Sequence, residues 1–241
     1  MIGDRDSKSR YHGPPSRIEM YERNIERQGV GMYFVKECTS LRPFFSSVQR
    51  HVPPGSRLLE FGYGPGVLAI YLSRCGYKVL GIDMEPDVVA LARRISKSLG
   101  GAAQYQVCDM FAIDNIFGPD SFDAVFSDVT LEHYSDREII DALQRQLNVA
   151  KLSIFAVHCS NLLPKFFTGL GGGERLLKPS QWDDLVKKAG GKVIDHFGYG
   201  FYYTRIGQLN WRVPVIAEAI FWRRLARFAA VTGFVVRRRE L

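Results

Sequence analysis

Apolar and polar positions alternate along this chain in a repeating beat. A short apolar run at 57–61 is followed by a glycine loop and a helical stretch at 67–75. A second run at 78–82 is followed by a helical stretch at 86–99. Strands at 104–108 and 122–127, a helix at 136–149 and a strand at 152–158 continue it. Strand and helix in alternation predict parallel strands joined by right-handed crossovers. Before this unit, residues 18–48 have helical periodicity with interruptions at Gly29, Gly31 and Pro43, and Pro53-Pro54-Gly55 ends it. Residues 1–17 read as a flexible arm with a turn at Gly13-Pro14-Pro15. The last third departs from the beat: a helix at 181–189 with Ser180 as its N-cap, a strand at 192–197, an aromatic-rich stretch at 199–211 and a helix at 215–230. Thr232-Gly233 is expected to end that helix before a final strand at 234–239. No internal repeat stands out.

Composition narrows the classes. With 241 residues, 46% of them hydrophobic and 24% charged, the chain suits one α/β domain and excludes disordered or collagen-like structure. The stretch 213–233 is interrupted by Glu218, Arg223, Arg224 and Arg227, so no transmembrane span is expected. The polar start lacks an apolar signal core, which points to the cytoplasm. Cys38, Cys75, Cys108 and Cys159 lie far apart without metal-ligand spacing and read as free thiols, with no metal expected. A net charge of +7 would suit an anionic partner, but the cations are scattered apart from Arg223-Arg224-Arg227 and Arg237-Arg238-Arg239.

The sharpest chemical signal is Glu60-Phe61-Gly62-Tyr63-Gly64-Pro65-Gly66, between the first strand and the next helix. Glycines there let the backbone turn tightly and approach a ligand, whose polar parts meet free N–H groups at the helix start. The spacing is G-x-G-x-G, with Val67 where the dinucleotide fingerprint needs its third glycine, and no Gly-Lys-Ser/Thr follows. Glu60, two residues before the first glycine, suits a ligand with positive charge better than a pyrophosphate. Asp83 ends the second strand about 20 residues on, where a carboxylate accepts from both ribose hydroxyls. Asp109 ends the third, placed for an adenine amino group. Three acids at three successive strand ends share the edge where doubly wound sheets bind ligands.

On these residues the chain resembles the class I S-adenosylmethionine-dependent methyltransferases. The segment 60–66 is similar to that family's first motif, with Glu60 in place of the more frequent Asp. Residues 76–83 resemble the second motif, Asp109-Met110 the third, and 122–127 with Leu131-Glu132-His133-Tyr134 the fourth and its following loop. Residues 175–182 are similar to the link before the penultimate helix, and the likeness covers roughly 55–200.

The resemblance implies a Rossmann-like seven-stranded, mostly parallel sheet, its last strand antiparallel and inserted between two others. It implies an N-terminal arm and helical lid (1–50), a methyltransferase domain (51–241) and a substrate-side insertion at 199–231. The cofactor would be S-adenosylmethionine, leaving as S-adenosylhomocysteine, held by Glu60, Gly62, Tyr63, Gly64, Gly66, Asp83, Met84, Asp109, Met110 and Ser127.

Transfer from a sulfonium is an in-line displacement, and a hydroxyl or protonated amine must also lose a proton. His158 and His133, at the ends of the fifth and fourth strands, are candidate bases. Asn161, Tyr11, Tyr33, Tyr202 and Tyr203 are candidate acceptor contacts, and His12 sits with Tyr11 in the arm. A small-molecule acceptor is the first expectation. RNA is second, because Ser127-Asp128-Val129-Thr130 stands where base-amine methylation would want an Asn/Asp-Pro-Pro-Tyr-type tetrapeptide. Protein is third, and a non-catalytic partner subunit keeping the fold is a separate class. The helix at 215–230, with Phe221, Trp222 and Phe228, raises peripheral membrane attachment, but its apolar residues occupy more than one face and favour burial.

Overall fold

The computed structural model describes residues 18–62, 64–160, 175–200 and 229–239. The strands are β1 (Arg57–Phe61), β2 (Lys78–Asp83), β3 (Gln104–Val107), β4 (Phe122–Asp128), β5 (Ala150–His158), β6 (Gly191–Tyr199) and β7 (Val231–Arg238). They form one sheet in the order β3-β2-β1-β4-β5-β7-β6. The first five pair in parallel, while β7 runs antiparallel between β5 and β6. This is the expected mixed sheet, inserted last strand included.

The helices are α1 (Ile18–Gln28), α2 (Val30–Ser40), α3 (Arg42–His51), α4 (Val67–Arg74), α5 (Pro86–Ser98), α6 (Ile113–Ile116), α7 (Asp136–Val149) and α8 (Pro179–Lys188). Because successive strand residues point to opposite faces, each strand feeds two cores. Leu58, Ala124, Phe126, Ile154, Ala156 and Phe197 pack with Phe44, Phe45 and Val48 of α3 and with α4 and α5. Leu59, Phe61, Val125, Phe155, Val157 and Phe234 pack on the other face with Leu143 of α7 and Trp182 of α8. The sequence signal for α7 is strong: Ser135 and Glu138 close a capping box, leaving few unsatisfied N–H groups at that end.

Three local expectations differ from what forms. The N-terminal helical stretch is interrupted as expected at Gly29 (φ 77°), which divides α1 from α2, and beside Pro43, which sits in the first turn of α3 where its missing N–H has no intrahelical partner to lose; Gly31, however, lies inside α2. The N-cap of α8 is Lys178 rather than Ser180, because Pro179 has the φ that starts a helix, here two residues earlier than expected. The last strand begins at Val231 rather than at 234, running through Thr232 and Gly233 and pairing Gly233 with Ala156 and Phe197.

The expected arm at 1–17, the insertion residues 201–228 and nearly all of the 215–230 helix lie outside the described residues, as do Tyr63, Asn161, Tyr11, His12, Tyr202 and Tyr203. Among the described residues no helix is long and apolar enough to cross a membrane.

Candidate functional site

The carboxyl ends of β1 to β4 form a rim with two adjoining cavities. The first is lined by Gly62, Gly64, Asp83, Met84, Glu85, Cys108, Asp109, Met110, Thr130 and His133. The second is lined by Tyr33, Glu37, Glu60, Pro65, Leu68 and Asp128. Tyr21 of α1, Gly62, Gly64 and Val129 border both, so the two are joined at the glycine loop.

That loop is shaped for close approach. Gly62, Gly64 and Gly66 have φ of 64°, 49° and 78°, the left-handed region that side chains disfavour. A Cβ on Gly64 would lie 2.8 Å from Tyr21 Oη, and one on Gly66 2.9 Å from Tyr105 Oη. Gly66 is the N-cap of α4 and brings no side chain to its end, so that end is open to a polar ligand.

The acids of the first cavity are held by their own backbones. Asp83 Oδ1 accepts from Glu85 N–H at 3.0 Å, and Asp109 Oδ1 caps the short 3-10 turn Met110–Ala112 by accepting from Phe111 N–H at 2.9 Å. Because each turn fixes its carboxylate before a ligand arrives, little side-chain entropy remains to be lost on binding. Met84, Cys108 and Met110 supply the apolar wall that a flat ring requires.

Glu60 is 2% exposed, and its Oε2 has no hydrogen-bond partner among the described residues. Burial pushes its carboxyl well above the usual range, with the charges of Asp128 and Asp83 adding to the rise and the Ala69 N–H opposing it. A buried acid with an orphaned oxygen is costly until a donor or cation meets it. The ammonium and sulfonium of S-adenosylmethionine fit that demand, with Asp83 and Asp109 lining the adjoining cavity on the same rim. The residues present therefore suit this group.

Beyond Glu60 the second cavity turns acidic and aromatic. Asp128 ends β4 on the same face as Ala124 and Phe126, and the Tyr199 hydroxyl donates to its Oδ1. Burial lifts the Asp128 carboxyl to about 7, opposed by the Tyr199 hydrogen bond. Burial raises Glu37 as well. Among the described residues, no lysine or arginine lines either cavity.

The two candidate bases occupy different places. His133, 1% exposed, lines the first cavity beside Asp109. His158 is not among the residues lining either cavity; its Nδ1 lies 3.1 Å from Glu132 Oε1, which also accepts from the His158 backbone N–H at 3.1 Å. Ser127 is buried on the opposite face of β4 from Asp128 and lines neither cavity. Tyr33 does line the second. Tyr21, Glu37, Asp128 and Thr130 were not singled out as site residues by the sequence. Of these only Asp128 carried a usable signal, the two-residue alternation with Ala124 and Phe126 that turns it to the same face as the α1–α5 core.

Residues 58–152 match the family described as methyltransferase domain. A ubiquinone biosynthesis O-methyltransferase of Sinorhizobium fredii is 27% identical over 163 residues, covering 61% of this chain and 64% of that relative. The alignment thus spans less than two thirds of the relative's length. A methyltransferase of Aquifex aeolicus superposes with a TM-score of 0.63 at 16% identity, covering 93% of this chain and 98% of that one. The magnesium protoporphyrin IX methyltransferase of Synechocystis, with bound S-adenosylhomocysteine, gives 0.58 at 16% identity, covering 94% and 90%. The matched segment holds the glycine loop, Asp83 and Asp109 in one continuous stretch. Over that segment the chain is similar to methyltransferase domains, and its sheet has the fold of solved S-adenosylmethionine-dependent methyltransferases.

Proposed function

We propose that this protein is an O-methyltransferase acting on an uncharged small molecule, with S-adenosylmethionine as donor and S-adenosylhomocysteine as product. The observation that carries the reading is the pair of joined cavities: one fitted to a nucleoside, the next lined by tyrosines and acids and continuous with it at the glycine loop. When bound, the donor supplies a methyl group on a positively charged sulfur. Asp83 and Asp109 would hold ribose and adenine, Met84 and Met110 flank the ring, Glu60 meets the positive charge, and Gly62, Gly64 and Gly66 admit the ligand to the backbone. Tyr63 belongs to the same loop by sequence. The protein's work in an in-line displacement is alignment and exclusion of water. Tyr21 and Tyr33, from the helices over the second cavity, serve as its roof.

The acidic lining weighs against a polyanionic acceptor such as nucleic acid. RNA binding needs cations near the reacting base, yet Arg237 and Arg238 stand opposite the start of β5 and β6, at the far edge of the sheet. The named activity of the Sinorhizobium fredii relative, O-methylation in ubiquinone biosynthesis, supports a small acceptor. Cys108 and Cys159 are buried free thiols, consistent with a reducing compartment such as the cytoplasm.

The test is transfer of labelled methyl groups into cell extract, with ribonuclease-treated and protease-treated aliquots. Label in the small-molecule fraction is expected. Ribonuclease-sensitive label would replace this acceptor with RNA, and absence of label with intact S-adenosylhomocysteine binding would leave a non-catalytic cofactor-binding subunit.

A further inference from the structure

Resting on the O-methylation reading, we infer that Asp128, and neither histidine, is the general base that takes the proton of the acceptor hydroxyl. A neutral hydroxyl is a poor nucleophile, and its proton must leave as the new bond forms. The receiving group has to border the space where the acceptor sits. Asp128 does so, at the tip of β4 in the second cavity, with Gly62, Gly64 and Glu60 as co-lining residues. His158 lines neither cavity and is tied through Nδ1 to Glu132. His133 lines the nucleoside side, beside Asp109 and Met110.

The surroundings hold Asp128 in a form suited to this task. The Tyr199 hydroxyl, from the end of β6, donates to Oδ1 and fixes the carboxyl's orientation. Burial is the main cause that raises its proton affinity; Glu132 of the 3-10 turn Leu131–His133 and Glu37 of α2 add to the rise, His158 of β5 lowers it, and Glu60 of β1 repels it across the cavity. The result is a carboxyl lifted to about 7, a carboxylate basic enough to be useful near neutrality. The balance is simple: the acceptor oxygen bonds the methyl carbon, the carbon–sulfur bond breaks with its electron pair leaving on sulfur, and the hydroxyl proton passes to Asp128. The sulfur ends neutral and the carboxyl protonated.

The experiment compares two phenols as acceptors, catechol and 4-nitrocatechol, the second of which ionises by itself near neutrality. Asp128→Asn is expected to slow catechol methylation by about 100-fold or more, to change 4-nitrocatechol methylation only a few-fold, and to leave S-adenosylhomocysteine affinity intact. Equal loss on both acceptors, or no loss on either, overturns the inference. If the wild type binds S-adenosylhomocysteine but methylates neither phenol, the O-methylation reading fails and takes the inference with it. Infrared difference spectroscopy of the protein without acceptor supplies a reading independent of turnover. A protonated-carboxyl band that fades across neutral pH, and is missing in Asp128→Asn, is expected; its absence from the wild type overturns the assignment.

Discussion

Gly62 and Thr130 sit so close across the first cavity that a Cβ on the glycine would lie 2.6 Å from Thr130 Oγ1. Thr130 is itself held by donating that hydroxyl to the Asp128 carbonyl at 3.1 Å. The loop therefore has no room to give on that side, and φ of 64° at Gly62 adds strain for any L side chain. Gly62→Ala should weaken S-adenosylhomocysteine binding by at least tenfold, about 1.4 kcal/mol, with the circular dichroism spectrum unchanged. Calorimetry showing wild-type affinity would mean that the ligand does not approach this backbone.

Asp83 provides the sharper test of the nucleoside side. A carboxylate that accepts from two hydroxyls contributes charge-assisted bonds, so Asp83→Ala should cost about 2 kcal/mol of binding, or about thirtyfold in affinity. The same titration with NAD should show no heat in either protein. An affinity for NAD comparable to that for S-adenosylhomocysteine would contradict the distinction drawn from the G-x-G-x-G spacing.

The residues assigned to the nucleoside were legible because each follows a strand whose apolar run is easy to read, and strand ends in a parallel sheet converge on one rim. Asp83, Asp109 and the glycine loop stand where that logic put them. The acceptor side was not legible for a physical reason. Its walls come from α1, α2 and β4, with the hydroxyl that orients Asp128 supplied from β6; these elements meet only through tertiary packing, and nothing in local periodicity pairs Tyr199 with Asp128, 71 positions apart. The extent of β7 was misread because Gly233 looks like a breaker in sequence, whereas in space it is a packing requirement.

That requirement is testable. A Cβ at Gly233 would fall 2.1 Å from Phe197 Cζ, inside the ring that lies over it. Phe197 is wholly buried and meets Phe44 edge-on, with ring centroids 5.3 Å apart, so it cannot easily swing away. Gly233→Val should destabilise the protein by about 1–3 kcal/mol or more, read as a lowered melting temperature. Combining it with Phe197→Leu should recover part of the loss; strict additivity of the two would show that the ring and the glycine do not share the space.

Stability without ligand should also carry the signature of Asp128. Its carboxyl is raised in the folded protein to about 7 from 3.8, so the folded state binds the proton more tightly than the unfolded chain does. Stability from this group is then greatest below the unfolded value and declines as pH rises from about 4 through 7. Asp128→Asn removes that dependence, so the gap in melting temperature between variant and wild type should move in the variant's favour as pH is raised from 5.5 to about 8. A gap independent of pH would mean that folding does not perturb this carboxyl.

His158 separates the two assignments of the base most directly. Its charge favours the ionised form of Asp128, so His158→Ala should raise the Asp128 carboxyl further and move the ascending limb of the pH–rate profile to higher pH. Turnover should survive at mildly alkaline pH, because the group that receives the proton is still present. Loss of the Glu132 contact will also lower stability, since Glu132 is fully buried and its Oε1 takes two hydrogen bonds from His158. The profile must therefore be measured below the variant's melting temperature. A variant that is folded, binds S-adenosylhomocysteine normally and is inactive at every pH would return the proton to His158 and leave Asp128 a structural acid.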